Sequence, residues 1–433
     1  MPELSFPENT GQLPASHPSV LGGLGDNSGV PPATPTTERD FRSSTTLFST
    51  PIHDESKFGD HNIEPNLQRL FDDVMKIGDG EFSIVYRVKE RNHHIDLHDS
   101  PGTVRHQDPT STPGKDGVFV VKKSKHPYRG AGDKERKLKE ARTLQALGHA
   151  EHVVQYMADW EADDHLYIQT EFCENGSLKD FYSREGFFGR LDDFCIFKIL
   201  LDLTMGLKEI HDAGFMHLDM KPANVFVTFE GALKIGDFGL ARSLSDTLPL
   251  DTEGDREYMA PEMLQGGFGC SSDIFSLGMI IFEAIANVEI PGNGEDWHKL
   301  RSGDFSGVPS LAWTASCETN PHRSGLYNDE YEPDRTHDAG DLFGTHKRSE
   351  LLEPPAFMED ATNPESLRSI ISWMMSNNMQ DRPTASQLLS LGSLQWIAQR
   401  RTAPATIFEG RWGPVETESP AVVEVVDTEM TGV

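Results

Sequence analysis

Cysteine is scarce in this chain: Cys173, Cys195, Cys270 and Cys317 are the 4 in 433 residues, at wide and irregular spacing. Such spacing excludes a disulfide framework and a zinc-type cluster and points to a reducing compartment, cytoplasm or nucleus. Long apolar runs are missing too. The longest, near residues 275–288, carries Glu283 and is too short to span a bilayer. The N-terminus has neither the basic start nor the apolar stretch of a signal peptide, so no membrane partner is expected. Positive charge is in deficit, with 39 Lys and Arg against 69 Asp and Glu and a net charge of −30. Phosphate backbones select for Lys and Arg, so no nucleic-acid partner is expected either. The charge is compatible with a basic protein partner. With 36% hydrophobic and 25% charged residues, a sizeable core can coexist with considerable disorder. The length allows up to about three average domains, or one large two-lobed domain with tails.

What is present is concentrated between His217 and Gly239. The stretch reads His217-Leu218-Asp219-Met220-Lys221-Pro222-Ala223-Asn224, then a β-like run, then Asp237-Phe238-Gly239. Phosphoryl transfer needs a carboxylate beside the acceptor hydroxyl, a cation near the transferring phosphate, and oxygen ligands for magnesium. Asp219 supplies the first, Lys221 the second, and Asn224 with Asp237 the third. Val225–Val227 and Leu233–Gly236, joined at Glu230-Gly231, are expected to form a hairpin that fixes the two metal ligands relative to each other. Either half alone reads equally as an acidic surface turn beside a strand pair; the ordered pair is what carries the argument. The arrangement resembles the catalytic core of eukaryotic protein kinases.

The remaining signals follow in that family's order. Residues 1 to about 66 are rich in Pro, Gly, Ser and Thr, lack apolar periodicity, and are read as a disordered tail. Thr34-Pro35 and Thr50-Pro51 within it are minimal sites for a proline-directed kinase. Residues 71–88 alternate like two strands around a glycine-bearing turn. Gly78 and Gly80 let the backbone approach phosphates, Ile77 opens the loop, Val85 covers an adenine, and Ser83 stands where many kinases have a third glycine. A plain hairpin would look much the same. Residues 91–117, with four histidines at no metal-binding spacing, read as a solvated insertion. The strand 118–123 brings Val120 to the nucleotide and ends in lysine. Lys122 is the candidate for the α/β-phosphates; alternation sends its competitor Lys123 to the opposite face.

The periodicity of 133–147 is that of an amphipathic helix. Glu140 on it matches the glutamate that pairs with the strand lysine in kinases, ahead of Glu135 on register, and Leu144 is expected to pack toward Phe238. Strands are expected over 153–160 and 166–170. Thr170 then borders the adenine pocket, and Glu171-Phe172-Cys173 forms the hinge whose backbone binds the adenine edge. Asn175-Gly176-Ser177-Leu178 opens a helix, and 194–211 carries a clear helical stripe. The resemblance further implies an activation segment over 240–262, a buried Glu262–Arg382 ion pair, and Asp273 bracing the catalytic-loop backbone. The fold class is therefore α+β, a two-lobed protein kinase fold. Its N-lobe runs over 70–173 with insertion 91–117, and its C-lobe over 174–398 with a loop insertion 303–362. A disordered tail 1–66 and an acidic tail 402–433 flank it.

Within the superfamily, several stretches look like the Wee family, the tyrosine kinases that restrain mitosis. These are Gly78–Ser83, Asp159-Trp160 through His165–Gln169, His217-Leu218-Asp219 and Glu253-Gly254-Asp255. Asp273–Gly278, Phe282–Ala284, Ala286-Asn287 and Trp297–Asp304 look like its fungal members. That resemblance implies ATP and Mg2+ as cofactors, a cyclin-dependent kinase with its cyclin as substrate, and inhibition by phosphate on a tyrosine of that kinase's Gly-rich loop. It also implies residence in the nucleus, with the cytoplasm open. From residues alone, Asp219-x-Lys221-x-x-Asn224 is the serine/threonine type of loop, so a serine/threonine kinase with another target stands as the alternative. A pseudokinase scaffold is a third reading, disfavoured because Lys122, Glu140, Asp219, Asn224 and Asp237 are all present. Two departures from the general pattern have consequences. Leu218 replaces the arginine that clamps a phosphorylated activation loop, so activity is expected without that phosphate. Asp255 stands where serine/threonine kinases place a threonine, and is expected to pair with Lys221.

Overall fold

A computed structural model describes residues 64–91, 106–107, 117–148, 150–188, 190–246, 255–304, 351 and 354–408. Thr34, Thr50, most of the 91–117 insertion, Glu253-Gly254, Cys317 and the tail from 409 lie outside the described residues.

The N-lobe is a six-stranded antiparallel sheet in the order β1-β2-β4-β6-β5-β3. Its strands are β1 (Phe71–Asp79), β2 (Ser83–Glu90), β3 (His106–Gln107), β4 (Val118–Ser124), β5 (Tyr156–Ala162) and β6 (His165–Glu171). Alternation sorts β4 cleanly. Phe119 and Val121 point into a small core with Tyr86, Val88, Trp160 and Tyr167, while Val120 and Lys122 point the other way, across from Thr170 and Ile168 of β6. The 91–117 insertion contributes β3, which pairs with β5 at the sheet edge.

Helix α1 (Pro65–Leu70) precedes the sheet, with Pro at its first turn. Its start falls inside the segment read as tail. Leu67 is fully buried under the sheet, and Glu64 is 8% exposed. The Glu64 carboxylate accepts from Tyr167 Oη at 2.9 Å and pairs with the Lys123 ammonium. Packing and a buried ion pair override the local composition, so the folded unit starts before residue 70. Helix α2 (Ala131–Leu147) lies across the inner face of the sheet, and Leu144 and Phe238 share one buried cluster.

The C-lobe is built on α4 (Asp193–Asp212), which follows α3 (Leu178–Phe188). The Asp192 carboxylate caps α4 by accepting from Phe194 N at 2.7 Å. The helix packs against α5 (Cys270–Ala286), α9 (Ala385–Leu389) and α10 (Gly392–Arg400). Each large apolar side chain so buried contributes about 1.5–3 kcal/mol. The short strands β7 (Phe215–Met216), β8 (Val225–Val227), β9 (Leu233–Ile235) and β10 (Arg242–Ser243) form two pairs, β7 with β10 and β8 with β9. Helices α6 (Gly294–Arg301), α7 (Ala356–Glu359) and α8 (Leu367–Met374) complete the lobe. Among the described residues no helix is long and apolar enough to cross a membrane.

Three further boundaries differ from expectation. Residues 153–155 are not in β5: Val153 instead makes a parallel bridge to Ile235. Residues 356–359 of the second insertion are helical, because Phe357 packs edge-on against Phe197 and Trp396. Residues 402–408 are not free tail. Ala405 is fully buried, Ile407 O accepts from the buried Lys198 ammonium at 2.7 Å, and Thr406 bonds Gly231 O. This strap holds the turn of the β8–β9 hairpin.

Candidate active site

Lys122 sits at the meeting point of sheet, helix and C-lobe. Its Nζ donates to Glu140 Oε1 at 2.7 Å and to Asp237 Oδ1 at 2.6 Å. Burial works against the ammonium, but the two carboxylates overcome it and raise its pKa. The Lys122 charge also holds the Asp237 carboxyl down at about 2, against the opposing effect of burial. Burial pushes the Glu140 carboxyl up, and Lys122 offsets part of that. Lys123 takes no part, being held by Glu64 on the far face.

Asp219 is pinned on three sides. Its Oδ2 accepts from Asn224 Nδ2 at 2.9 Å and lies 3.1 Å from Lys221 Nζ; its Oδ1 accepts from the Asp255 backbone N–H at 3.1 Å. Asp255 Oδ2 is 3.6 Å from Lys221 Nζ, so the expected pairing is present. Burial works against the Lys221 ammonium, but Asp219 and Asp255 overcome it and raise its pKa. Below the loop lies Asp273, fully buried. Its carboxylate accepts from His217 N at 2.9 Å, Leu218 N at 2.7 Å and His211 Nε2 at 2.9 Å. Those bonds support an unusual backbone: Leu218 has φ +62° and Asp237 φ +60°, in the left-handed region that a side chain disfavours. His217 reinforces the turn. Its Nδ1 accepts from Asp219 N and its Nε2 donates to Gly236 O, which fixes the tautomer, and its ring meets Phe238 edge-on.

The hairpin holds Asn224 and Asp237 in one frame, since Gly236 N donates to Asn224 O at 2.9 Å. A side chain at Gly236 would meet Phe226 at 2.8 Å and Val154 at 2.9 Å, so only glycine allows this approach before Asp237. The residues fit a magnesium ion. The Asn224 amide nitrogen is committed to Asp219, which leaves its oxygen as the donor, and Asp237 stays ionised. No group of three or more His, Cys, Asp or Glu suited to a metal occurs among the described residues.

The strand-borne nucleotide-binding candidates share one face of the sheet. Val85 lies opposite Lys122, Val120 opposite Thr170, and Gly78 opposite Val85. Ile77 is 46% exposed on β1, an apolar side chain without a cover. Gly80 closes the turn by donating to Ser83 O at 2.8 Å. At the hinge, the Glu171 carboxylate pairs with Lys234 at 2.7 Å and accepts from Gln155 N at 2.6 Å. Its side chain is thus committed, and its N–H donates to Gln155 O at 3.0 Å, which leaves its carbonyl as the group for a base. Cys173 is buried beside it, and burial pushes its thiol up.

The family model for the protein kinase domain matches residues 111–392. The chain belongs to the protein kinase family. The folded kinase unit begins before the matched segment, since β1 and β2 join the same sheet. Among curated proteins it is similar to the mitosis inhibitor protein kinase wee1 of Schizosaccharomyces pombe, 37% identical over 349 residues, 80% of this chain and 34% of that one. The mitosis inhibitor protein kinase SWE1 of Saccharomyces cerevisiae is 31% identical over 444 residues, covering 88% of this chain and 50% of its own. The mitosis inhibitor protein kinase mik1 of Schizosaccharomyces pombe is 33% identical over 353 residues, 81% of this chain and 51% of its own. Within the protein kinase family, then, the similarity is to the Wee type. This chain spans about a third to a half of the length of those relatives.

The kinase ion pair expected between Glu262 and Arg382 is present, bidentate at 2.6 and 2.8 Å. Leu218 is buried, 4% exposed. Sequence reasoning missed Glu64, His211 and the strap at 401–408, and it had Trp297 and Arg301 of α6 only as a family likeness, without a role. A visible signal existed for the strap: Lys198 and Asp202 interrupt an otherwise apolar helix face, and such charges need partners.

Proposed function

We propose that this chain is an ATP-dependent protein kinase of the Wee type. It transfers phosphate to a tyrosine in the Gly-rich loop of a cyclin-dependent kinase, inhibits it, and so restrains mitosis. The observation that carries the reading is that Lys122, Glu140 and Asp237 form one cluster and Asp219, Lys221 and Asp255 a second, close enough that Asp237 acts electrostatically on Lys221. Residues 77–85, Val120, Thr170 and the backbone of Glu171–Cys173 would enclose the nucleotide. Lys122, held by Glu140, would bind the α- and β-phosphates. Asn224 and Asp237 would hold magnesium, whose bound form neutralises charge on the phosphate oxygens.

Asp219 accepts or orients the acceptor's hydroxyl proton. Its Oδ1 and Oδ2 are already fixed by Asp255 N and Asn224 Nδ2, so little reorganisation is needed at the moment of transfer. Lys221 offsets negative charge at the same point. Lys221 beside Asp219 is also what favours the second reading, a serine/threonine kinase with another target. Phosphoamino-acid analysis of a cyclin-dependent kinase–cyclin complex treated with this chain and Mg-ATP separates the two. Phosphotyrosine in the Gly-rich loop supports the first; phosphoserine or phosphothreonine alone overturns it. An Asp219→Asn protein serves as the blank. Nuclear residence belongs to the same proposal, and imaging of the tagged chain tests it.

A further inference from the structure

Helix α6 carries Trp297–Arg301, a stretch singled out in the sequence and not used by the mechanism above. Arg301 is 5% exposed, and among the described residues no carboxylate lies within ion-pair distance of it. Its guanidinium instead donates to backbone carbonyls: Nε to Met259 O at 3.1 Å, Nη2 to Arg256 O at 2.5 Å and Glu257 O at 2.9 Å, Nη1 to Trp297 O at 3.3 Å. Trp297 Nε1 donates to Arg256 O at 2.9 Å, and its ring lies 3.9 Å from the guanidinium carbon. Ser276 Oγ takes the one intervening carbonyl, Tyr258 O, at 2.9 Å. Every carbonyl from Arg256 to Met259 is therefore tied down to α5 or α6.

The opposite edge of this segment serves the catalytic aspartate. Asp255 N donates to Asp219 Oδ1, Glu257 N donates to Asp255 Oδ1, and the N–H groups of Tyr258 and Met259 donate to Asp255 O. The segment therefore reaches Asp219 directly, through the Asp255 N–H. Burying a guanidinium with no counter-ion is costly. Burial alone lowers its pKa to about 10, so it stays charged at neutral pH. Only a planar fork with several donors fits three carbonyls of one loop together; lysine offers no such fork.

We infer that Arg301, stacked on Trp297, is a positioning residue that holds the acceptor-binding segment 255–259 in its working form. It does from beneath what a phosphate on the activation segment, gripped by arginine, does in kinases that lack Leu218. Arg301 touches neither nucleotide nor reacting atoms. The inference rests on the protein-kinase reading of the site.

The test uses the full chain, with Arg301→Lys and the milder Trp297→Phe, which keeps a ring and removes one donor. For Arg301→Lys, KM for the cyclin-dependent kinase complex should rise roughly tenfold, a loss on the scale of one charge-assisted hydrogen bond. Binding of a fluorescent ATP analogue should stay within about twofold. Amide exchange over 255–259 should accelerate, without a matching change in α4. Trp297→Phe should shift both readouts the same way by less, and it decides the matter if Arg301→Lys does not fold. Unchanged acceptor KM, or unchanged exchange over 255–259, overturns the inference. If the unaltered chain phosphorylates no protein, the functional reading fails, and the exchange measurement alone decides the clamp.

Discussion

The His211–Asp273 pair should make folding stability fall as pH rises above neutrality. His211 is 11% exposed and Asp273 fully buried, with Nε2 2.9 Å from Oδ2. Burial works against the imidazolium, but the bond to Asp273, helped by Cys270, overcomes it and raises the His211 pKa from 6.5 to about 9. The folded value exceeds the unfolded one, so the contribution is complete below the unfolded pKa and is lost as pH climbs through the folded pKa. At roughly 1.36 kcal/mol per unit, the full contribution is about 3 kcal/mol, and less than about 0.5 kcal/mol survives at pH 9. The groups acting on the ring are Asp273 and, beside it, Cys270, both on α5. The assay is urea unfolding from about pH 6 to about pH 9.5, on the unaltered chain and on His211→Gln, which keeps a donor and cannot titrate. The difference between the two should shrink by about 2–3 kcal/mol across that window, or roughly 4–12 °C in Tm for a domain of this size. Parallel stability curves would refute the reasoning, because other titrating groups act equally on both proteins.

Asp219→Asn should lower kcat by about 10²–10⁴ while leaving the fold and ATP binding intact, as measured by turnover, circular dichroism and nucleotide fluorescence. Treatment of the purified chain with a protein phosphatase, followed by its removal, should leave turnover unchanged, because Leu218 cannot grip an activation-segment phosphate. Ending the chain after Arg400 should cost roughly 3–5 kcal/mol of stability. It strips the Arg401 partner from Asp202 and the Ile407 carbonyl from Lys198, both buried on α4; calorimetry reads the loss.

Much of this site could be read from the sequence because its parts are local. His217 to Gly239 holds the carboxylate, cation and both metal ligands within one loop and one hairpin, and their spacing is set by chain geometry. The choice of Lys122 over Lys123 needed only strand alternation, and β4 alternates as expected. Other parts depend on partners distant in sequence. Glu64 lies in a polar stretch indistinguishable from tail until Tyr167 and Lys123 are brought beside it. Residues 153–155 have strand-like composition, yet Val153 and Val154 bond Ile235 of the C-lobe, so β5 starts only at Tyr156. Arg301 follows a helical pattern like any basic residue near a helix C-terminus. Nothing in sequence reveals that its donors turn inward to a loop more than forty residues earlier.

Taken together, these contacts explain why the site can be complete without modification. In the general kinase pattern an arginine beside the catalytic aspartate links the loop to a phosphate, so assembly waits on a charge added later. Here that position is Leu218, buried, with its N–H held by Asp273. The work of alignment passes to groups encoded in the chain. Asp273 holds the loop from below, and Asp255 holds Asp219 and Lys221 from the side. The strap at Thr406 and Ile407 fixes the hairpin turn, while Arg301 fixes the segment that carries Asp255. A charge buried in the fold cannot be removed by a phosphatase.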